Sequence, residues 1–211
     1  MNQSADLQNG ITQLGISLDP DIQLKLLQYL ELLQKWNKIY NLTAIHDQKK
    51  MVSHHLLDSL VVMPHLWPER WVDVGCGAGL PGLIMAIVRP DWEISLLDSN
   101  SKKTSFVQQA IIELGLQNAK VYCTRVEDWK PAEQFDGIIS RAFTELGSFL
   151  NGTRHLVAKN GRWAAMKGLP DRELESVPAE FSVEKIITLQ VPGLNAARSL
   201  VIASCKESEI T

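Results

Sequence analysis

The sequence predicts an α/β fold: a mostly parallel, seven-stranded sheet with helices on both faces, preceded by a helical extension. Three observations predict it. From Trp71 onward, apolar runs of strand length alternate with runs of helix length, the pattern of a parallel sheet covered on both sides. The first such strand, Val72-Asp73-Val74, turns through Gly75-Cys76-Gly77-Ala78-Gly79-Leu80-Pro81-Gly82 into an apolar helix over residues 83–88. Open sheets that bind an extended ligand across a strand tip are built this way. Two last β runs, 184–191 and 200–204, are joined through Pro192-Gly193 and should pair antiparallel. Residues 1–70 are then the helical extension and residues 71–211 the core, in one compact unit.

Each element has its own signal. Asp19-Pro20 starts a helix, a capping residue followed by proline at the first helical position. Leu26, Leu30, Leu33, Trp36 and Tyr40 recur at three- and four-residue spacing, one apolar stripe for a core. Asn41-Leu42-Thr43 ends that helix, and a second over residues 49–62 stops before Pro64. In the core, the strand before the glycines is followed by strands over 93–98, 121–126, 135–140 and 162–166, with helices over 102–114 and 146–157 among them.

With 211 residues, 45% of them hydrophobic, the chain has the length and apolar content of one ordinary domain. Its apolar stretches break well short of the ~20 residues of a membrane span. The start, Met1 to Gly10, is polar and lacks the basic-then-apolar layout of a signal peptide. Cys76, Cys123 and Cys205 show neither metal spacing nor a disulfide framework, and the five histidines show no metal spacing either. The expectation is a cytoplasmic monomer with reduced thiols and no metal. A net charge of -3 argues against a protein that grips nucleic acid over its whole surface. Residues 71–168 hold eleven Lys and Arg against ten Asp and Glu, so affinity for RNA must come from a local patch.

The glycine run alone is ambiguous, because Gly77-x-Gly79-x-x-Gly82 also satisfies the dinucleotide fingerprint. Three acids decide between cofactors. Asp73 stands inside the apolar strand, where it can hold the glycine turn or reach the cationic amino-acid end of S-adenosylmethionine; a pyrophosphate would be repelled. Asp98 ends the next strand, 23 residues after Gly75, and suits either the two hydroxyls of a ribose or the cap of the following helix. Glu127 follows the third strand, where methyltransferases of the doubly wound class bind adenine by an acid and a backbone amide. Acids after three successive strands point to S-adenosylmethionine, with Gly75, Gly77 and Gly79 giving the backbone access.

At this point the chain resembles a family. Trp36-Asn37-Lys38-Ile39-Tyr40-Asn41-Leu42-Thr43, His55-Leu56-Leu57-Asp58-Ser59-Leu60, the glycine run with Leu80-Pro81-Gly82, Leu96-Leu97-Asp98-Ser99, Arg125-Val126-Glu127, Ser140-Arg141-Ala142 and Lys167-Gly168 are similar to the bacterial 16S ribosomal RNA guanine-N7 methyltransferases, once called glucose-inhibited division protein B. The likeness covers nearly the whole chain in order, with Cys76 and Ala78 at variable positions between the glycines. It implies the class I S-adenosylmethionine-dependent methyltransferase fold and methylation of N7 of a guanine (527 in standard ribosomal numbering) in the 530 loop of 16S ribosomal RNA, with the RNA met within the small subunit and S-adenosylhomocysteine as product. It also implies that Gly75, Leu80, Val126, Glu127 and Arg141 touch the cofactor.

The missing motifs agree with that chemistry. Amine-directed methyltransferases of this fold carry an Asp/Asn-Pro-Pro-aromatic stretch after the fourth strand; here it is Ser140-Arg141-Ala142-Phe143. The Pro-Cys nucleophile of cytosine-C5 enzymes does not occur. Guanine N7 has a free lone pair, so it needs neither a general base nor a covalent intermediate, and no catalytic residue is assigned. Lys102, Lys103, Arg125, Arg141 and Lys167 each follow the end of a strand, on the side where such sheets bind ligands, and form an RNA-facing rim or solvated charge. Arg141 is the positioning candidate, holding the methionine carboxylate or guanine O6, or else pairing with Glu145. A small-molecule methyltransferase and a non-enzymatic ribosome-binding factor are the rival readings.

Overall fold

The computed structural model describes residues 2–67 and 69–206. Its sheet comprises β1 (Arg70–Val74), β2 (Glu93–Asp98), β3 (Ala119–Cys123), β4 (Phe135–Arg141), β5 (Val157–Lys167), β6 (Phe181–Leu189) and β7 (Arg198–Cys205), in the order β3-β2-β1-β4-β5-β7-β6. Strands β1 to β5 are parallel neighbours, and β7 runs antiparallel between β5 and β6. From β1 the chain steps outward to β2 and β3, then returns to place β4 on the other flank of β1. That reversal opens a crevice at the carboxyl ends of β1 and β4, the usual ligand site of open α/β sheets.

The helices are α1 (Gln3–Gln13), α2 (Pro20–Tyr40), α3 (Gln48–Met51), α4 (Asp58–Leu60), α5 (Gly82–Val88), α6 (Ser101–Glu113), α7 (Leu146–Thr153) and α8 (Asp171–Leu174). The polar first ten residues do not read as an element, yet most of them form α1. The Asn2 side chain caps it, and Leu7 and Ile11 enter the core. Helix α2 starts at Pro20 and stops at Asn41, whose left-handed φ of 49° is one that asparagine tolerates. The helix expected over 49–62 is real but irregular, because α3 passes into α4 through a π-helical stretch, Val52–Leu57. The third strand ends early, at Cys123, because Val126–Asp128 coil into a 3-10 turn. The helix expected over 146–157 gives way at Thr153, and β5 takes up the chain from Val157.

Hydrophobic burial explains the layering. Leu26, Tyr29, Leu30 and Leu33 of α2 share one core with α5, α6 and the face of the sheet that carries Trp71 and Leu96. The other face packs Val72, Val74 and Trp163 against Phe149 and Leu150 of α7. Each fully buried side chain of this size stabilises by roughly 1.5–3 kcal/mol, so the stripe fastens α2 to α5 and α6, the helices that cover this face of the sheet. Among the described residues no helix is long and apolar enough to cross a membrane.

One polar contact adds direction to that packing. The buried Tyr29 hydroxyl donates to the Ala78 carbonyl at 2.7 Å, tying the helical extension to the glycine loop, and burial pushes the phenol pKa far up. Tyr29→Phe keeps the ring and leaves the carbonyl without that partner. Unfolding in urea should show a loss of about 1–3 kcal/mol with an unchanged slope. An unaltered midpoint would mean that the hydroxyl is not a fastening.

Candidate active site

Two clefts open at the carboxyl edge of the sheet, and Ala142 and Phe143 form the boundary between them. The smaller, about 380 Å³, is lined by Gly75, Asp98, Lys103, Arg125, Val126 and Glu127 among others. The larger, about 800 Å³, lies between the end of β4, the π-helical stretch with α4, and the start of β7.

The glycine loop forms the base of the smaller cleft, and side chains elsewhere hold it. Asp73 has no exposed surface; its Oδ2 accepts the Gly82 N–H at 2.8 Å, and its Oδ1 has no partner among the described residues. Burial is the main reason its carboxyl is pushed up to about 7, with the Gly82 bond and Arg141 acting against it. Asp98 accepts the Gly77 N–H at 2.9 Å through Oδ2 and the Asn100 N–H at 2.8 Å through Oδ1. Asn100, not Asp98, is the side-chain cap of α6, accepting from Lys102 and Lys103. Each Asp98 oxygen keeps a second lone pair for a ligand hydroxyl.

The glycines do different work. At Gly77, with φ of 58°, a Cβ would meet nothing closer than 4.0 Å, so its missing side chain leaves a cradle above the loop. At Gly75 a Cβ would fall 2.3 Å from the Phe143 ring. Gly79 is reserved for Leu83, and Gly82 for the close contact of α5 with Asp73 and Leu96. Backbone access at every glycine was therefore too broad an expectation. Leu80 is buried at 3% exposure and does not line the cleft; Gly77, Gly79 and Asp73 lie beneath it rather than along its wall.

The larger cleft is built around a second buried carboxylate. Asp58, whose side chain is 2% exposed, accepts from Arg141 Nη1 at 3.0 Å and from Arg198 Nε at 2.8 Å. Arg141 Nη1 also donates to the His54 carbonyl at 3.1 Å, within the π-helical stretch. Arg141 pairs with Asp58 and not with Glu145, and it lines the larger cleft, not the smaller one. His55 Nε2 lies 3.2 Å from the Thr43 hydroxyl, while burial first and Arg141 next lower its pKa to about 4, keeping it neutral.

The sequence of rRNA small subunit methyltransferase G proteins matches this chain over residues 22–201. The chain belongs to that family. Members similar to it include the ribosomal RNA small subunit methyltransferase G of Laribacter hongkongensis, 49% identical over 95% of this chain and 98% of that one. That of Pseudomonas aeruginosa is 50% identical over 95% and 94%. Solved structures give the same fold at low identity. A TehB-like SAM-dependent methyltransferase from Corynebacterium glutamicum aligns over 85% of this chain and 98% of its own, with a TM-score of 0.55 and 14% identity. A SAM-dependent methyltransferase from Aquifex aeolicus aligns over 80% and 96%, with a TM-score of 0.54 and 20% identity. The sheet is therefore that of the class I methyltransferases, as the sequence predicts.

In this family member, the residues expected on an RNA-facing rim do not form one set. Lys102 is exposed on α6, whereas Lys103 and Arg125 line the smaller cleft. Lys167 is spoken for: its side chain is 10% exposed, paired with Glu173 at 2.6 Å, and it donates to the Thr144 carbonyl. Sequence reasoning missed the roles of Asp58 and Arg198. Asp58 lies in a stretch noted for its family likeness, but a lone arginine opening a terminal strand carries no signal.

The Asp73 carboxyl gives a stability test. Its folded pKa of about 7 exceeds the ordinary 3.8, so between those values the folded state holds more protons and stability falls as pH rises. His55, lowered from 6.5 to about 4, has the opposite sign, losing stability as pH falls through that window. Asp73→Asn retains an acceptor for Gly82 without the ionisation. Relative to the parent, its thermal midpoint should rise between pH 4 and pH 8, by an amount equivalent to a few kcal/mol. A constant difference across that range would show that Asp73 does not titrate there.

Proposed function

We propose that this protein transfers the methyl group of S-adenosylmethionine to N7 of a guanine in the 530 loop of 16S ribosomal RNA, releasing S-adenosylhomocysteine. The family membership supports the RNA substrate, and one observation supports N7 in particular: among the described residues, the buried groups lining the larger cleft are poor proton acceptors. Asp58 is held by two arginines and Glu173 by Lys167 and the Leu146 N–H; burial and Arg141 lower the His55 pKa to about 4, so its imidazole is a weak base, and Glu145 is exposed. An N7 lone pair carries no proton to remove. Positioning can then supply most of the rate, well-oriented reactants gaining roughly 7–11 kcal/mol.

The smaller cleft fits the cofactor. The open space above Gly77 suits an extended ligand and Asp98 suits ribose hydroxyls, while Asp73, with no exposed surface, serves the site by holding the Gly82 N–H and so the loop. Val126 and Glu127 start the turn after β3, where a backbone N–H and a carboxylate suit adenine. When bound, S-adenosylmethionine supplies the electrophilic methyl. Gly75, Gly79 and Leu80 shape the loop that carries these groups. Burial pushes the Cys76 thiol well up, which suits a route without a covalent intermediate. Lys102, exposed on α6, and Lys103 and Arg125, at the wall of the smaller cleft, are the cations we assign to RNA, and Arg141 the positioning residue. We read residues 1–70 as the extension that walls the acceptor cleft and residues 71–211 as the cofactor-binding core, acting as a cytoplasmic monomer on the small subunit or its RNA.

Two measurements test this. Mass mapping of 16S ribosomal RNA from cells lacking the protein should show loss of one N7-methylguanine, restored by adding the protein and S-adenosylmethionine. Transfer to small acceptors with none to ribosomal RNA would overturn the reading. Asp98→Ala should weaken S-adenosylmethionine binding by about 1.5–3 kcal/mol in calorimetry, the range for hydrogen bonds to a charged group. Affinity within twofold of the parent would leave Asp98 as a loop fastening alone.

A further inference from the structure

We propose that Arg198, together with Arg141 and fixed by Asp58, forms a phosphate-binding floor in the larger cleft that takes a phosphodiester of the acceptor strand. This rests on the RNA-methylating function proposed above. The argument begins with charge. Two guanidinium groups share one carboxylate that is itself 2% exposed, so one positive charge is left uncompensated at the bottom of a cleft of about 800 Å³. Of the other groups lining the cleft, Lys167 and Glu173 neutralise each other, His55 is neutral, His54 gives its carbonyl to Arg141, and Glu145 carries a negative charge that is paired with neither arginine and stands exposed, where water screens it. A phosphodiester carries one negative charge, which matches.

Hydrogen-bond capacity points the same way. Arg141 spends Nη1 on Asp58 and the His54 carbonyl; Arg198 spends Nε on Asp58 and Nη1 on the Ala197 carbonyl. Among the described residues, Nε and Nη2 of Arg141 and Nη2 of Arg198 have no partner. The arginine side chains keep 23% and 28% of their surface exposed, against 2% for the carboxylate between them, so the free donors have access to the cleft. Asp58 holds both planar forks in place before any ligand arrives, which lowers the ordering needed for charge-assisted bonds to phosphate oxygens. Arg198 opens β7 and Arg141 closes β4, so the floor joins two strands that are not neighbours in the sheet.

The test uses the full chain and measures methyl transfer to 16S ribosomal RNA across a salt series, with S-adenosylmethionine affinity by calorimetry alongside. Arg198→Gln should raise KM for RNA roughly tenfold or more. It should lower the salt slope by about one, the signature of a single lost phosphate contact, while cofactor affinity stays within twofold. Arg198→Lys keeps Asp58 paired and the charge in place; it should restore the salt slope but leave KM severalfold above the parent, because the fork is gone. If Arg198→Gln does not fold, the lysine variant decides: a raised KM with normal cofactor affinity supports the floor, and a parental KM overturns it. A folded Arg198→Gln with parental KM and salt slope also overturns it. A parent protein that methylates no ribosomal RNA removes the function on which the floor rests, a failure distinct from that of Arg198 itself.

Discussion

A loop without side chains cannot hold its own shape, and the rest of this molecule depends on how that need is met. The turn from Gly75 to Gly82 is fastened by groups from three different elements. Asp73 takes the Gly82 N–H from within β1, Asp98 takes the Gly77 N–H from the end of β2, and Tyr29 of α2 donates to the Ala78 carbonyl. The Leu97 carbonyl adds bonds to the Gly75 and Cys76 N–H groups. The acids that mark the cofactor site are thus also the acids that build it. Buried hydrogen bonds to a charged group are among the stronger ones available, and leaving any of these donors unpaired would carry a penalty of similar size.

The second cleft follows the same logic with the signs reversed. There a carboxylate is the fixed point and two cations are arranged around it. Replacing one partner of such a buried set is more damaging than its exposed surface suggests, because the remaining charge is stranded. Ala142 and Phe143 stand where the two clefts meet, with Ala142 at a φ of 53° and the Phe143 ring over Gly75. The left-handed alanine shows that surrounding contacts, and not local preference, set the path of this segment.

Much of the architecture was legible because it is written in short-range chemistry. The alternation of apolar runs marked β1, β2 and β4 within a residue or so, and the Leu26-Leu30-Leu33 stripe marked the buried face of α2. Pro192-Gly193 marked the antiparallel turn between β6 and β7. The smaller cleft was legible for a related reason: Gly75, Asp98, Val126 and Glu127 each sit at a strand end, and parallel strands gather their ends at one edge. The larger cleft was not. Asp58, Arg141 and Arg198 come from three distant stretches, and only the return of β7 against β5 brings the last of them close. Lys167 illustrates the converse. Its position was read correctly, at the end of β5, but nothing local announces that Glu173 claims its ammonium group.

The π-helical stretch Val52–Leu57 has a consequence for how this chain can vary over time. Successive residues on an α-helix are about 100° apart around the axis, so a π turn amounts to one extra residue that resets the faces after it. His54, which lends its carbonyl to Arg141, and Asp58, which takes the same guanidinium, are four residues apart, a spacing that keeps them on one side of the helix. A one-residue deletion between them would rotate Asp58 by about 100° relative to His54 and part it from the guanidinium that both now hold. The segment can therefore exchange side chains more readily than it can change length, and gaps in alignments of the family should avoid it.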